Sequence, residues 1–417
     1  MSKGLPRRAH GVLWVGVLIS AWAGGCTVRD PVARVREEED AGPGPGEEDG
    51  GPPLPEDWVT YCQGSGPPVL VGSGGAGTTV CSAQVAQQAF PYALCTCETL
   101  ALSAPLRVDA FHGSQGPYTV GERGGALGVN GNLTSDNVVD VGGALSAEGL
   151  IRMGFSLSVG GDLHGSGSLM GNGTFSMAQN ARVRGNVEVG SLTVGGRLTV
   201  PSESILTGPI QAAEVLRQPV EALSPCGCAP AAQVDIAAFV ANHERVNHNA
   251  DIGLEPSALE GFTGSRTLEL PCGRFYLNRI AGQGGLTIVA QGRTALFVGE
   301  GVSLGEHLAV QVQGPEAELD LFIGGDVAVT GSLLLGGGAK TPRMRVYIAG
   351  AGILTLPVDS AIEGHLYAPQ VLLRLSGNAE VFGSVFVRRV EASNTALLHH
   401  DLDVLNAAGA CVSSSTR

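Results

Sequence analysis

The sequence predicts a mainly β protein, a parallel β-helix or solenoid in two strand-rich regions, with a small helical insert between them and a disulfide-held N-terminal cap. Three observations predict it. From Val129 to Val200 the phrase apolar-x-Gly-x-apolar returns as VNGNL, VGGAL, VGGDL, VRGNV and VGGRL, with starts 12, 18, 24 and 11 residues apart. Three of these gaps are multiples of six, the spacing of one short strand plus one corner, and a fixed period of this kind marks coils that stack. Composition agrees, because 63 Gly with abundant Val, Leu and Ala and only 5% aromatic residues favour many thin, similar layers. The pattern then resumes after Leu268, where apolar and small residues alternate over short runs broken by Gly, Pro and Asn.

The chain begins with an export signal over residues 1–25. Lys3, Arg7 and Arg8 precede an apolar run from Gly11 to Ala23 that is too short to span a bilayer comfortably. The run closes on Ala-Gly-Gly-Cys, which resembles the lipobox of bacterial lipoproteins. That resemblance implies that Cys26 is diacylated on sulfur, as with palmitate, and anchors the protein in a membrane. Thr27 stands where an Asp usually retains such proteins at the inner membrane, so the outer membrane or cell surface is the expected address. Residues 26–57 are acidic and rich in Pro and Gly, with AGPGPGEEDGGPPLPED at their centre. They bury too little apolar surface to repay ordering and read as an extended tether.

Eight further cysteines, Cys62, Cys81, Cys95, Cys97, Cys226, Cys228, Cys272 and Cys411, are an even set in an exported chain and read as disulfides. Neighbours as close as Cys95-Thr-Cys97 and Cys226-Gly-Cys228 seldom bridge each other, so each is expected to reach a distant partner. Sequence does not choose among about 105 pairings. A zinc site built from the two C-x-C pairs is the alternative. Residues 58–105 hold half of these cysteines, the loop GSGGAG at 72–77 and a helical patch from Ser82 to Ala89 that Pro91 stops. They are expected to cap the first coil. Residues 106–216 form the first solenoid region.

Residues 217–267 form the insert. Pro230 is expected to open a helix with Val234, Ala237, Ala238 and Ala241 on one stripe and Ile236, Phe239 and Val240 beside it. The helix runs into NHERVNHNADIGL, where His243, Asn247, His248, Asn249 and Asp251 invite a metal reading; their spacing fits a solvated, Asn-capped helix end better. Residues 268–411 form the second strand-rich region and 412–417 a tail. Six-residue spacing persists there, from IGGDV at 323 to VTGSL at 329 and from LSGNA at 375 to VFGSV at 381.

The order LPCGRFYL, GRTALFV, AELDLFIGGDV, GHLYAPQ, LSGNAEVFGSVFVRRV, LLHHDLDV resembles a family of exported bacterial proteins, common among myxobacterial surface lipoproteins, that carries an uncharacterised C-terminal domain. The likeness covers about residues 217–411, and His399-His400-Asp401 stands where the family commonly shows His-Tyr-Asp. The N-terminal repeats separately resemble, in pattern, the bactofilin-like proteins that form polymers.

The acidic balance, 39 Asp and Glu against 25 Lys and Arg for a formal charge of -14, argues against nucleic acid. Parallel β-helices often host polysaccharide lyases and hydrolases, so Asp320, Asp326 and Asp359 with Arg343, Arg345 and Arg374 are candidate catalytic groups. Glu318 and Asp320 alternate with apolar residues, as solvent-facing strand positions do. His399, His400 and Asp401 orient an imidazole beside a carboxylate, with no Ser or Cys nucleophile linked to them by motif. The expectation is therefore a non-enzymatic, lipid-anchored structural or adhesive scaffold, with no catalytic residue, no metal and no cofactor. Its expected partners are the membrane through Cys26 and surface polysaccharide or other surface proteins. A glycan-binding or polysaccharide-active protein and a self-assembling, polymer-forming protein are the alternatives.

Overall fold

The computed structural model describes residues 56–63, 68–71, 78–315, 317–337, 343–356 and 360–410. The Cys26 anchor, the tether to residue 55, the loop at 72–77, Asp359 and Cys411 lie outside the described residues. Among those described, almost every ladder is parallel, and the coils give a solenoid-like stack. In the first region Leu127 pairs with Leu145, Leu145 with Leu163 and Leu163 with Ala181, each step 18 residues. The six-residue spacing thus resolves into three short strands per coil. Each ladder points one column inward, as in Leu133, Ile151, Leu169 and Val187, all at most 1% exposed. One row of the core is therefore a stack of like side chains, which is why the sequence looks repetitive.

The polar residue before the last apolar position of the repeated phrase has a defined task. Oδ1 of Asn132, Asp162 and Asn186 accepts a hydrogen bond from the backbone N–H of Leu150, Asn180 and Ile205, one coil further on. The glycines of the phrase serve close approach. A Cβ on Gly160 would sit 2.2 Å from the carbonyl oxygen of Gly142, and neither residue has a positive φ. Close packing of corners, and not an unusual backbone angle, is what excludes a side chain here.

The two strand-rich regions form one stack, and the chain enters it in the middle. Leu94–Thr96, Leu100–Leu102 and Leu106–Phe111 make a coil from which the first region grows outward to Ile210–Arg217. The chain then returns along the outside and restarts at Glu260–Phe262 and Arg266–Leu270. It builds back until Ala379–Ala392 and Ala396–Asp401 pair with that same middle coil, Leu94 against Val385 and Leu106 against Ala396. The 58–105 segment is therefore no end cap. Its C-terminal strands are a central coil, and its helices, α1 (Glu56–Gln63) and α2 (Ser82–Ala89), pack on the outer face of the second region.

That outer face carries a second core. Outward positions of successive coils place Tyr276, Phe297, Phe322, Tyr347, Tyr367 and Phe386 in one column. Phe297 and Phe322 stack with centroids 5.0 Å apart, and Phe322 and Tyr347 at 4.6 Å. The few aromatic residues are thus concentrated where the outer face must be covered. The cover is α2, Phe90 and α3 (Ile236–His243). Asp235 caps α3 by accepting from the N–H of Ala238 at 3.0 Å, whereas Pro230 opens only a short 3₁₀ turn. The buried face of α3 is Ile236, Phe239, Val240 and His243. The stripe of alanines expected to bury does not lead, because the aromatic column rewards the larger side chains.

Among the described residues three disulfides tie the outer layer to the stack: Cys62–Cys272, Cys95–Cys226 and Cys97–Cys228. The two C-x-C pairs bridge each other side by side, which disposes of a zinc reading for those four thiols. Cys81 ends the strand Thr78–Cys81. Such bonds belong to an oxidising compartment.

Candidate functional site

Two clusters of titratable side chains lie on the outer face of the second region. The first is built on three neighbouring coils. Asp320 pairs in register with Arg345, and Arg293 with Glu318. Arg345 donates to Asp320 and to Glu318 at 2.9 Å, and Arg293 donates to Glu318 at 2.9 Å. Asp320 is fully buried. The alternation of Glu318 and Asp320 was expected to mark exposed positions. It does mark outward positions, but α2 and the N-terminal segment cover them. Burial pushes the Asp320 carboxyl up in spite of Arg345, whereas Arg345 and Arg293 outweigh burial at Glu318 and hold it below the ordinary range. Burial acts against the charge on Arg345, yet the two carboxylates keep it firmly protonated. The four side chains form one mutually neutralising ion network, with Asp320 wholly buried and the other three 12% to 21% exposed.

The second cluster sits at the seam where Ala396–Asp401 meets the middle coil. His399 lies opposite Asp109 in the ladder. Its Nδ1 is 2.6 Å from Asp109 and its Nε2 3.3 Å from Glu380, so carboxylates face both ring nitrogens. Tyr118 covers the imidazole at 3.9 Å between centroids and donates its hydroxyl to Asp109 at 3.0 Å. Burial, with Asp109 beside it, pushes the Tyr118 phenol up to about 12. Gly121 allows the covering loop to close, since a Cβ there would collide with the Asp109 carboxylate. Glu380, with 42% of its side chain exposed, is more open to solvent than Asp109, at 22%. The arrangement is able to pass a proton between Asp109 and the surface, but no Ser or Cys among the described residues is hydrogen-bonded to His399.

The three C-terminal candidates do not act together. His400 is buried, and burial lowers it to about 4. Asp401 accepts from the N–H groups of Gly113 and Asp403 and lies 4.0 Å from His365; burial raises it to about 6. His112 pairs with Asp403 at 2.7 Å, which raises its pKa. Asp109, His112 and Gly113 stand 288 to 291 positions before the side chains they meet, and no local motif announces them.

The other candidates have structural roles. Oδ1 of Asp326 accepts from the N–H of Gly352, the same coil-to-coil cap as Asn132. Arg343 donates to the carbonyl of Gly314, and Arg374 to exposed Glu391. In the insert, His243 is buried and stacks on Phe297 at 3.7 Å, which brings it down to about 4 through burial. His248 accepts from the N–H of Arg274 and lies against Trp58 at 5.3 Å. Asn249 exchanges two hydrogen bonds with the backbone of Tyr276. The solvated helix end expected there is instead a buried lock between insert and stack. Among the described residues no group of three or more His, Cys, Asp or Glu side chains is placed to hold a metal ion.

These shifts set a pH dependence. His243 and His400 titrate lower in the fold than the ordinary 6.5, so each contributes stability that is present above pH 6.5 and is lost as pH falls toward 4. Asp401, raised from 3.8 to about 6, works the other way and returns stability as pH falls through 6. His365, which burial also holds well below the ordinary range, adds a third loss, so the losses outweigh the gain at Asp401 and stability is expected to fall between pH 6.5 and 4. Denaturant midpoints measured across this range check the sign. His400→Phe is expected to flatten the slope, and an unchanged slope would refute the assignment.

One open groove of about 510 Å³ crosses the seam, lined by Ser103, Thr134, Asp136, Asn137, Arg152 and Glu391 among others. Arg152 has no ion-pair partner among the described residues, and no aromatic residue lines the groove. No curated protein and no solved structure matches the chain. Residues 226–406, which take in the helical insert and the coils of the second region, match a family described as a domain of unknown function (DUF7305), and so the C-terminal part is an uncharacterised domain.

Proposed function

We propose that the protein is an exported, non-enzymatic surface scaffold, a parallel β-helix held at the outer membrane by lipid on Cys26 and set off from it by the acidic tether. The observation that carries this reading is the fate of the best-formed charge cluster. Asp320, Glu318, Arg293 and Arg345 neutralise one another beneath α2 and the N-terminal segment, and Cys62–Cys272 ties α1 to the coil beside them. Charge arranged for catalysis would face a cleft; here it fastens a cover. Among the described residues no helix is long and apolar enough to cross a membrane.

The glycan-binding alternative rests on the seam groove, whose hydroxyl and amide groups with Arg152 suit an anionic saccharide. A single experiment separates the readings. Cys26→Ser is expected to move the protein from the membrane to the soluble fraction, and unchanged fractionation sinks the anchor. The released protein is then run on native gels cast with acidic or neutral polysaccharide. Unaltered mobility supports the scaffold, whereas retardation by the acidic polymer, relieved by Arg152→Glu, replaces it with the glycan reading.

A further inference from the structure

The stack is finished at one end and unfinished at the other. Where it restarts, the core positions Leu268 and Leu270 share one core with Leu254, Leu259 and Phe262, which the insert supplies. At the opposite end the last strand, Ile210–Arg217, pairs on one side with Val187–Val200 and has no second strand partner among the described residues. Its ladder shows which side chains face the core. Ile210, Ala212 and Val215 lie opposite Leu192, Val194 and Leu198, all buried, and Leu206 lies opposite Val187. They are a last core layer with nothing stacked above it. Val215 is 45% exposed and adjoining Ile205 57%. Edge strands are ordinarily blunted by Lys, by Pro or by inward charge. Ile210–Arg217 contains no Lys and no Pro, and of its two charges Glu214 lies opposite Arg197, whereas Arg217, opposite buried Val200, turns its guanidinium aside to the carbonyls of Pro201 and Ser204.

We propose that this end is an interface with a second copy of the chain, the two strands Ile210–Arg217 pairing antiparallel about a two-fold axis. The strand is complementary to itself. Setting Ile210 opposite Arg217, Gln211 opposite Leu216, Ala212 opposite Val215 and Ala213 opposite Glu214 uses all eight residues. In that register core-facing positions meet core-facing positions, and Gln211 meets Leu216 on the outer face. Neither charge meets its like, because Glu214 falls opposite Ala213 and Arg217 opposite Ile210, and each already has a partner in its own chain, Arg197 at 2.9 Å for Glu214 and the carbonyls of Pro201 and Ser204 for Arg217. The second copy would continue both the ladder and the apolar layer. Because the other end is roofed, association closes at two copies and does not propagate into a filament. This inference is independent of the lipid anchor.

Sedimentation velocity of the full chain in mild detergent, over a range of protein concentrations, tests it. A monomer–dimer equilibrium is expected, and Val215→Lys or Ala213→Lys is expected to weaken it about 30-fold or more. Phe155→Lys, at a side chain 62% exposed elsewhere on the stack, is expected to leave it unchanged. Circular dichroism melts confirm that the variants are folded. A wild-type monomer at every concentration overturns the proposal, as do filaments that lengthen with concentration or a dimer indifferent to both edge lysines.

Discussion

Replacing Arg345 with methionine is expected to cost the fold about 3–5 kcal/mol, because it strands the Asp320 carboxylate, which has no water to turn to. Asp320 is fully buried and depends on Arg345, whereas Glu318 keeps Arg293. The asymmetry gives a sharper test than the single variant. Arg345→Met combined with Asp320→Leu removes the orphaned charge, fills the volume with apolar atoms and is expected to recover most of the loss, since a buried pair as a whole is worth little against well-packed hydrophobic residues. Equilibrium denaturation of the single and double variants measures both values. A loss below about 1 kcal/mol for the single variant would mean that water reaches Asp320, and that the cover over this cluster is not closed.

Removing the twin disulfides should show strong non-additivity. Cys95–Cys226 and Cys97–Cys228 each close a loop of 131 residues, for which chain entropy alone gives about 5 kcal/mol. Once one is formed, however, the other closes a ring of only a few residues, worth about 2 kcal/mol. Cys97→Ala with Cys228→Ala is thus expected to cost about 2 kcal/mol, and removal of all four thiols more than twice that. Unfolding midpoints of the three proteins report the difference. Equal and additive costs would show that the bonds act through local packing and not through the loop. The functional consequence lies in the return segment, residues 218–235, which these bonds pin against the middle coil together with the paired hydrogen bonds of Asn130 and Cys226. Loosening it frees α3 from the aromatic column.

The strand content, the six-residue spacing, the helix at Ser82–Ala89 and the long reach of the C-x-C pairs were all legible in the sequence, because each is a local consequence of residue type. Alternating apolar residues declare an inward column and Pro91 declares a helix end, whereas the coil-to-coil cap made by Asn132, Asp162 and Asn186 shows only in the structure. The site was legible only in its parts. Glu318 and Asp320 were read as solvent-facing, yet an outward position is not an exposed one when α2 and the N-terminal segment lie over that face. His399 was noticed, but its partners Asp109 and Tyr118 stand nearly 300 residues earlier and meet it only because the last strand closes on the middle coil.

What the sequence determined by itself is therefore the unit of construction: short parallel strands, tight corners and a row of like side chains per coil. The tertiary structure alone decided the order of assembly. A parallel ladder is satisfied by any coil of matching width, so the repeat cannot say which coil stacks on which. That choice was made by contacts with no periodic signature: the ladder between Leu106–Phe111 and Ala396–Asp401, the aromatic column under α2 and α3, and the three disulfides. The same contacts roofed one end of the stack and left Ile210–Arg217 bare at the other.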